Sequence, residues 1–150
     1  TNDAPSAITR LLELGVAPYL IKATVLGIMA QRLVRTLCKS CKMQGKSDPR
    51  GWKMLTSPSK MRMPEFIYHP VGCLECRDTG FMGRQGIYEL MPITESIKEV
   101  LDESAEIDKL RLAGTKEGMK TLRLSGALKV AAGETTISEV LRVAPISGTH

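Results

Sequence analysis

The chain has 150 residues, 43% hydrophobic and 25% charged, with a formal net charge of +5, a globular composition sufficient for one domain or two small ones. No apolar run approaches the roughly 18 residues of a membrane span, and the opening Thr1-Asn2-Asp3-Ala4-Pro5 lacks the basic-then-apolar layout of a secretory leader, so a cytoplasmic protein is expected. The first residue is not methionine, and the chain is expected to begin partway through a longer protein.

In chain order, Asp3 or Asn2 can cap a short helix carrying Ile8, Leu11 and Leu12 that ends at Gly15. Pro18 opens a second helix, whose stripe of Ile21, Val25, Ile28 and Met29 recurs at i, i+4, i+7 and i+8. From Gln31 to Leu37 apolar residues interleave with Arg32, Arg35 and Thr36, the pattern of a strand. The next stretch is rich in Met, Lys, Ser, Pro and Gly; it predicts only a helical turn or two over 48–55 and an extended run at 66–69. Gly80, Gly83 and Gly86 mark a turn-rich segment, followed by a strand over 87–93. Four short amphipathic helices then follow. Thr94 caps the first and Ser104 the second, which stops at Gly114; the third ends at Gly133, and the fourth opens on the capping box Thr136-Ile137-Ser138-Glu139 and closes before Pro145.

All four cysteines lie in two C-x-x-C pairs, Cys38-Lys39-Ser40-Cys41 and Cys73-Leu74-Glu75-Cys76, separated by 31 residues. Two intervening residues let a tight turn aim both sulfurs at one ion, so the quartet is predicted to hold a structural Zn²⁺. The paired spacing and the cytoplasmic reading favour zinc over two disulfides. The gap exceeds the roughly 15 to 20 residues of the commonest zinc ribbon, which argues against a standard ribbon but not against the metal. With sulfur in every position, no water remains on the ion to be activated, so the site should do folding work and not chemistry.

Charge follows the cysteines. Residues 1–37 carry four basic and two acidic groups, 38–76 seven and three, and 77–150 ten and eleven. A Zn(Cys)₄ centre is formally −2, so Lys39, Lys42 and Arg77 are expected to offset it, with a surface for an anionic partner as the alternative.

Elsewhere the sequence offers little chemistry. It has no G-x-x-x-x-G-K-[ST] loop, no G-x-G-x-x-G fingerprint and no H-E-x-x-H motif, and His69 and His150 are isolated. Arg32, and Arg84 in Gly83-Arg84-Gln85-Gly86, each fit either a solvated arginine or one presented to a ligand or neighbouring chain. The basic loop with Trp52, Phe66 and Tyr68 admits a zinc module that binds nucleic acid, or a free-standing adaptor. Six aromatic residues in the whole chain and a nearly neutral C-terminal half weigh against nucleic acid.

In combination, Thr1-Asn2-Asp3-Ala4, Ala30-Gln31-Arg32-Leu33-Val34-Arg35-Thr36-Leu37-Cys38, Gly72-Cys73-Leu74-Glu75-Cys76 and Gly83-Arg84-Gln85-Gly86-Ile87-Tyr88-Glu89-Leu90 resemble the secretion ATPases of type II secretion and type IV pilus assembly, from Thr1 to about Pro145. The tetracysteine insertion marks the assembly ATPases of that family; the related pilus-retraction ATPases lack it.

The resemblance implies an α+β, mostly helical fold. Residues 1–37 would be the closing elements of a RecA-like ATPase core, 38–93 a Cys₄ zinc subdomain with its following strand, and 94–150 a C-terminal four-helix subdomain. It also implies a parent protein that binds Mg-ATP, with its phosphate loop, acidic boxes and histidine-box histidine lying before Thr1, so that residues 1–150 alone should not turn over a substrate. The parent would form a homo-hexamer at the cytoplasmic face of the inner membrane and act on a membrane platform protein, with no nucleic-acid partner. Arg84 matches the arginine of the family's Gly-Arg-x-Gly-Ile motif, which implies a supporting role in ATP hydrolysis; Cys38, Cys41, Cys73 and Cys76 match its zinc ligands.

Overall fold

A computed structural model describes residues 3–57, 59–102 and 106–145. The described residues form seven helices, α1 (Ala4–Glu13), α2 (Pro18–Thr24), α3 (Pro49–Thr56), α4 (Glu95–Val100), α5 (Ile107–Lys116), α6 (Leu122–Ala131) and α7 (Ile137–Val143). Four strands, β1 (Gly27–Leu37), β2 (Met43–Lys46), β3 (Phe66–His69) and β4 (Phe81–Pro92), make two two-stranded sheets, β1 with β4 and β2 with β3. The class is α+β, with more helix than strand. By contact the chain divides into one unit of residues 1–31 and 88–121 and another of residues 32–87 and 122–150.

In the first unit, Asp3 caps α1 by accepting from the Ser6 N–H at 2.9 Å, and Gly15, at φ 94, lets the chain turn away after it. Helix α2 starts at Pro18 as predicted but ends at Thr24. The apolar residues that the sequence places further along the same helix belong to β1, where exposure alternates residue by residue and sets Ile28 and Met29 on opposite faces. Gly27 explains the switch: a glycine in a helix interior costs about 1 kcal/mol relative to alanine, and here it follows the β-branched pair Thr24-Val25. The core joins Ala4 and Ile8 of α1, Ile21 of α2, Met91 of β4, and Ile93, Ile97, Leu101, Leu110 and Met119. Thr94 caps α4 by accepting from the Ile97 N–H. The predicted Ser104 cap lies outside the described residues. Helix α5 runs past Gly114 to Lys116, because Gly114 is a packing glycine: a Cβ there would lie 3.2 Å from the Met119 Cε and Sδ atoms.

In the second unit, Asp48 caps α3 by accepting from the Gly51 N–H at 3.1 Å, with Pro49 at the first helical position. Helix α3 buries Trp52 and Leu55 and packs on α6 and α7. The Trp52 indole Nε1–H donates to the Met61 carbonyl at 3.1 Å. Strand β3 pairs antiparallel with β2, from Met43 opposite His69 to Lys46 opposite Phe66; β2 itself has no period-two signal in the sequence. Helices α6 and α7 approach closely at Gly126, where a Cβ would meet Val140 Cγ1 at 2.4 Å.

The four expected C-terminal helices are therefore present as α4 to α7. They divide between the units, α4 and α5 with α1 and α2, α6 and α7 with α3 and the cysteine segment.

Candidate metal centre and an arginine cleft

The two C-x-x-C turns bring all four sulfurs within 4.8 Å of one another. Cys38 and Cys41 follow β1; Cys73 and Cys76 lie after β3, so the β2–β3 ladder returns the second pair to the first across a long excursion. The Sγ–Sγ distances are 3.8 Å for Cys38–Cys73, 3.8 Å for Cys41–Cys76 and 3.7 Å for Cys73–Cys76. A zinc ion bonded at about 2.3 Å to sulfurs at the corners of a tetrahedron sets them about 3.8 Å apart, so the donor set and its edges fit Zn²⁺. The thiols are free, and their separations are far beyond a disulfide bond.

The surrounding backbone is arranged for thiolates. The Gly72 N–H donates to Cys41 Sγ at 3.3 Å, and the Cys73 and Gly80 N–H groups each donate to Cys76 Sγ at 3.2 Å. For Cys76, burial works against ionisation, but these two donors and the neighbouring thiols outweigh it and hold the thiol down at about 6. For Cys73 the hydrogen bond from the Cys76 backbone favours the thiolate, yet burial and its own position as donor to Cys76 and Cys38 push it up to about 11.

The loop that closes the second turn is conformationally demanding. Arg77 and Asp78 take φ of 55 and 61, and Gly72 and Gly80 lie at 110 and 82. A Cβ on Gly80 would meet Pro70 Cβ at 2.5 Å, so both its φ and its packing require glycine. The Ser40 hydroxyl bridges to the Glu75 carboxylate, tying one turn tip to the other.

Lys42 Nζ donates to the Gly133 carbonyl at 2.8 Å and sits 4.7 Å above the Tyr68 ring, linking the cysteine segment to the end of α6. Lys39 and Arg77 are exposed. His69 stands on β3 with its ring over Gly45 and takes no place in the metal cluster; His150 lies outside the described residues. Arg32 is half-buried on β1.

Arg84 belongs to β4 and not to a free turn. The predicted turn-rich segment is extended from Phe81 onward, with Gly83 supplying one positive φ of 82. Arg84 lines a surface cleft of about 440 Å³ together with Arg35, Thr79, Phe81, Met82, Gly83 and Arg142. Thr79 ties this wall to the metal turn: its hydroxyl donates to the Cys76 carbonyl at 2.7 Å and accepts from the Phe81 N–H at 3.1 Å.

Beside the cleft is a buried carboxylate whose part the sequence does not reveal. Glu139 reads as half of a capping box, and its N–H does donate to the Thr136 hydroxyl at 3.1 Å. The carboxylate is turned instead to Arg35 and Arg142, with Arg35 Nη2 at 2.7 Å from Oε1 and Arg142 Nη2 at 3.0 Å from Oε2. Burial would raise its pKa; the hydrogen bonds and charge of the two arginines prevail and hold it at about 2. No local signal could have found this contact, because Arg35 is 104 residues away in the chain.

With a Cys₄ centre built between two secretion-ATPase-like flanks, the class of protein follows: the chain belongs to the type II/IV secretion system protein family, which matches residues 1–142. It is 48% identical over 147 residues to the type IV pilus assembly ATPase TfpB of Acinetobacter baylyi, covering 98% of this chain and 25% of that protein. It is 38% identical over 143 residues to the type II secretion system protein HxcR of Pseudomonas aeruginosa, covering 95% and 26%. The type II secretion system ATPase E of Vibrio cholerae is 36% identical over 143 residues, covering 95% and 28%. The chain thus spans about a quarter of the length of the curated relatives it matches.

Proposed function

We propose that residues 1–150 are the C-terminal portion of a hexameric ATPase that powers type IV pilus or type II secretion pseudopilus assembly from the cytoplasmic face of the inner membrane. The observation that carries this reading is the family match over residues 1–142, with relatives named as pilus assembly and secretion ATPases. In it, residues 1–37 supply closing elements of a RecA-like core, 38–93 the zinc-bearing subdomain with its following strand, and 94–150 the C-terminal helices. Division by contact cuts across this map, since α4 and α5 group with residues 1–31. Mg-ATP binds upstream, and ring motion acts on an inner-membrane platform protein. No helix among the described residues is long and apolar enough to cross a membrane.

Cys38, Cys41, Cys73 and Cys76 hold the zinc. The ion neutralises charge on four crowded thiolates and fixes the loop from Cys73 to Gly80, and through Thr79 it steadies the start of β4, where Arg84 is carried. Arg84 supports hydrolysis by presenting a guanidinium from an exposed, glycine-preceded position.

The test is Mg-dependent ATP hydrolysis by the full-length gene product. Reading the coding sequence upstream of Thr1 should reveal a phosphate loop, and Arg84→Ala in that protein should lower kcat by at least about tenfold with zinc content unchanged. A full-length product without a phosphate loop, or with full activity after Arg84→Ala, would sink the respective assignment.

A further inference from the structure

We propose that the cleft walled by Arg35, Arg84 and Arg142 is a binding site for a phosphoryl group. The cleft brings together three guanidiniums, and the carboxylate beside it, Glu139, is already saturated. Its Oε1 accepts from Arg35 Nε at 3.0 Å, Arg35 Nη2 at 2.7 Å and Arg142 Nε at 3.2 Å, and its Oε2 accepts from the Arg35 backbone N–H at 2.9 Å and Arg142 Nη2 at 3.0 Å. One carboxylate against three guanidiniums leaves two positive charges uncompensated around about 440 Å³ of open space.

The arrangement is held in place before any ligand arrives. Glu139 orients two of the three arginine planes, and the Arg35 guanidinium lies 4.1 Å over the Phe81 ring, which fixes that plane from its other side. The Nη1 groups of Arg35 and Arg142 take no share in the Glu139 contacts, and Arg84 is exposed. Gly83 forms the lip of the cleft with a positive φ, and a Cβ there would meet nothing within 4 Å, so a ligand can approach the backbone. An oxyanion with two charges and several acceptor atoms matches this set; a single carboxylate would leave one charge over. Arginine forks are suited to phosphoryl oxygens, to which they donate two parallel bonds.

Phosphoryl oxygens can come from a nucleotide, from free phosphate or pyrophosphate, or from an anionic lipid headgroup. The nucleotide source rests on the ATPase reading above; the site itself does not, so binding is measured apart from hydrolysis. The zinc-loaded chain is titrated with inorganic pyrophosphate and with Mg-ADP by calorimetry. It is also floated with vesicles of phosphatidylglycerol in phosphatidylethanolamine.

Arg84→Ala and Arg142→Ala should each weaken binding about tenfold, the loss of one charge-assisted contact. Arg84→Lys, with the charge but not the fork, should fall between, and Lys98→Ala on α4 should bind like the wild type. Trp52 fluorescence checks that each variant is folded. Losses confined to pyrophosphate and Mg-ADP identify a soluble phosphate ligand; losses confined to vesicle flotation identify a lipid headgroup. Absence of binding to all three probes, or binding that the cleft variants leave unchanged, overturns the proposal.

Discussion

The two units are held by different means. Residues 1–31 and 88–121 bury a continuous aliphatic cluster, and at the start of α1 Glu89 accepts from the Ala4 N–H at 2.7 Å and Asp3 pairs with Arg111. Residues 32–87 and 122–145 also bury aliphatic side chains, among them Val34, Leu37, Ile87, Val130 and Val140. Among its described residues, however, the stretch from Cys38 to Gly80 contains only an eight-residue helix and two four-residue strands. A two-stranded ladder of that length is marginal by itself, and here it is closed by four sulfurs, by Lys42 on Gly133 and by the Phe81-stacked Arg35 on Glu139. Where elements are too short to bury much apolar surface, clustered thiols and paired charges supply the long-range connections.

The largest expected effect follows from that difference. Structural zinc contributes on the order of 10 to 16 kcal/mol of apparent binding energy in small peptides, well above the whole stability of many domains. Chelation should therefore release residues 38–80. It should also loosen α6 and α7, because α3 and β3 pack on α6 and Lys42 is tied to Gly133. Residue-resolved hydrogen exchange before and after chelation should show these amides losing protection while α1, α4 and α5 keep theirs. Equal loss in both sets would mean that the units form one cooperative body and that the contrast drawn above is wrong.

The converse perturbation is a cavity in the apolar core. Leu110 of α5 is fully buried, and Leu110→Ala should cost about 2 to 5 kcal/mol. The loss should register in the amides of α1, α4 and α5, with zinc content and the amides around Cys38 and Gly80 unchanged. Loss of zinc in this variant would show that the apolar unit supports the metal unit.

Local signals carried most of what the sequence disclosed. Asp3, Thr94 and Thr136 are caps whose side chains bond N–H groups three residues on, and the cysteine quartet is a spacing rule; both work because the chemistry is short-range. The short run around Val25 to Met29 fits helical and strand periods alike, and Gly27 decided between them. Strand β2, Met43 to Lys46, is legible only from its partner β3. An amphipathic stripe says that a face is buried but not against what, so the last four helices were predicted individually while their division between units was not. Arg35 and Arg142 carried no signal beyond charge, and Glu139 had a sufficient local explanation as a capping residue, so the cleft wall was invisible until the chain was folded.

That contact gives the smallest and most diagnostic prediction. Glu139 titrates at about 2 in the folded chain against an ordinary 4.5, so its stabilising contribution is complete above about pH 4.5 and is lost as pH falls toward about 2. The carboxylate is 3% exposed, but Arg35 and Arg142 are about half exposed, at 48% and 58%, so solvent screens much of the attraction and a net contribution of about 1 to 2 kcal/mol is expected. Zinc leaves as its thiols protonate, so the quantity to follow is the stability difference between the wild type and Glu139→Gln at matched metal content, read from α6 and α7. The difference should hold from pH 7 to about 4.5 and close below it, whereas Asp3, also held below its ordinary range, gives a parallel acid response in the other unit that this substitution leaves alone. A difference that persists unchanged to pH 3 would mean that Glu139 acts there through shape and neutral hydrogen bonding, and that ionic connection is not what distinguishes the second unit from the first.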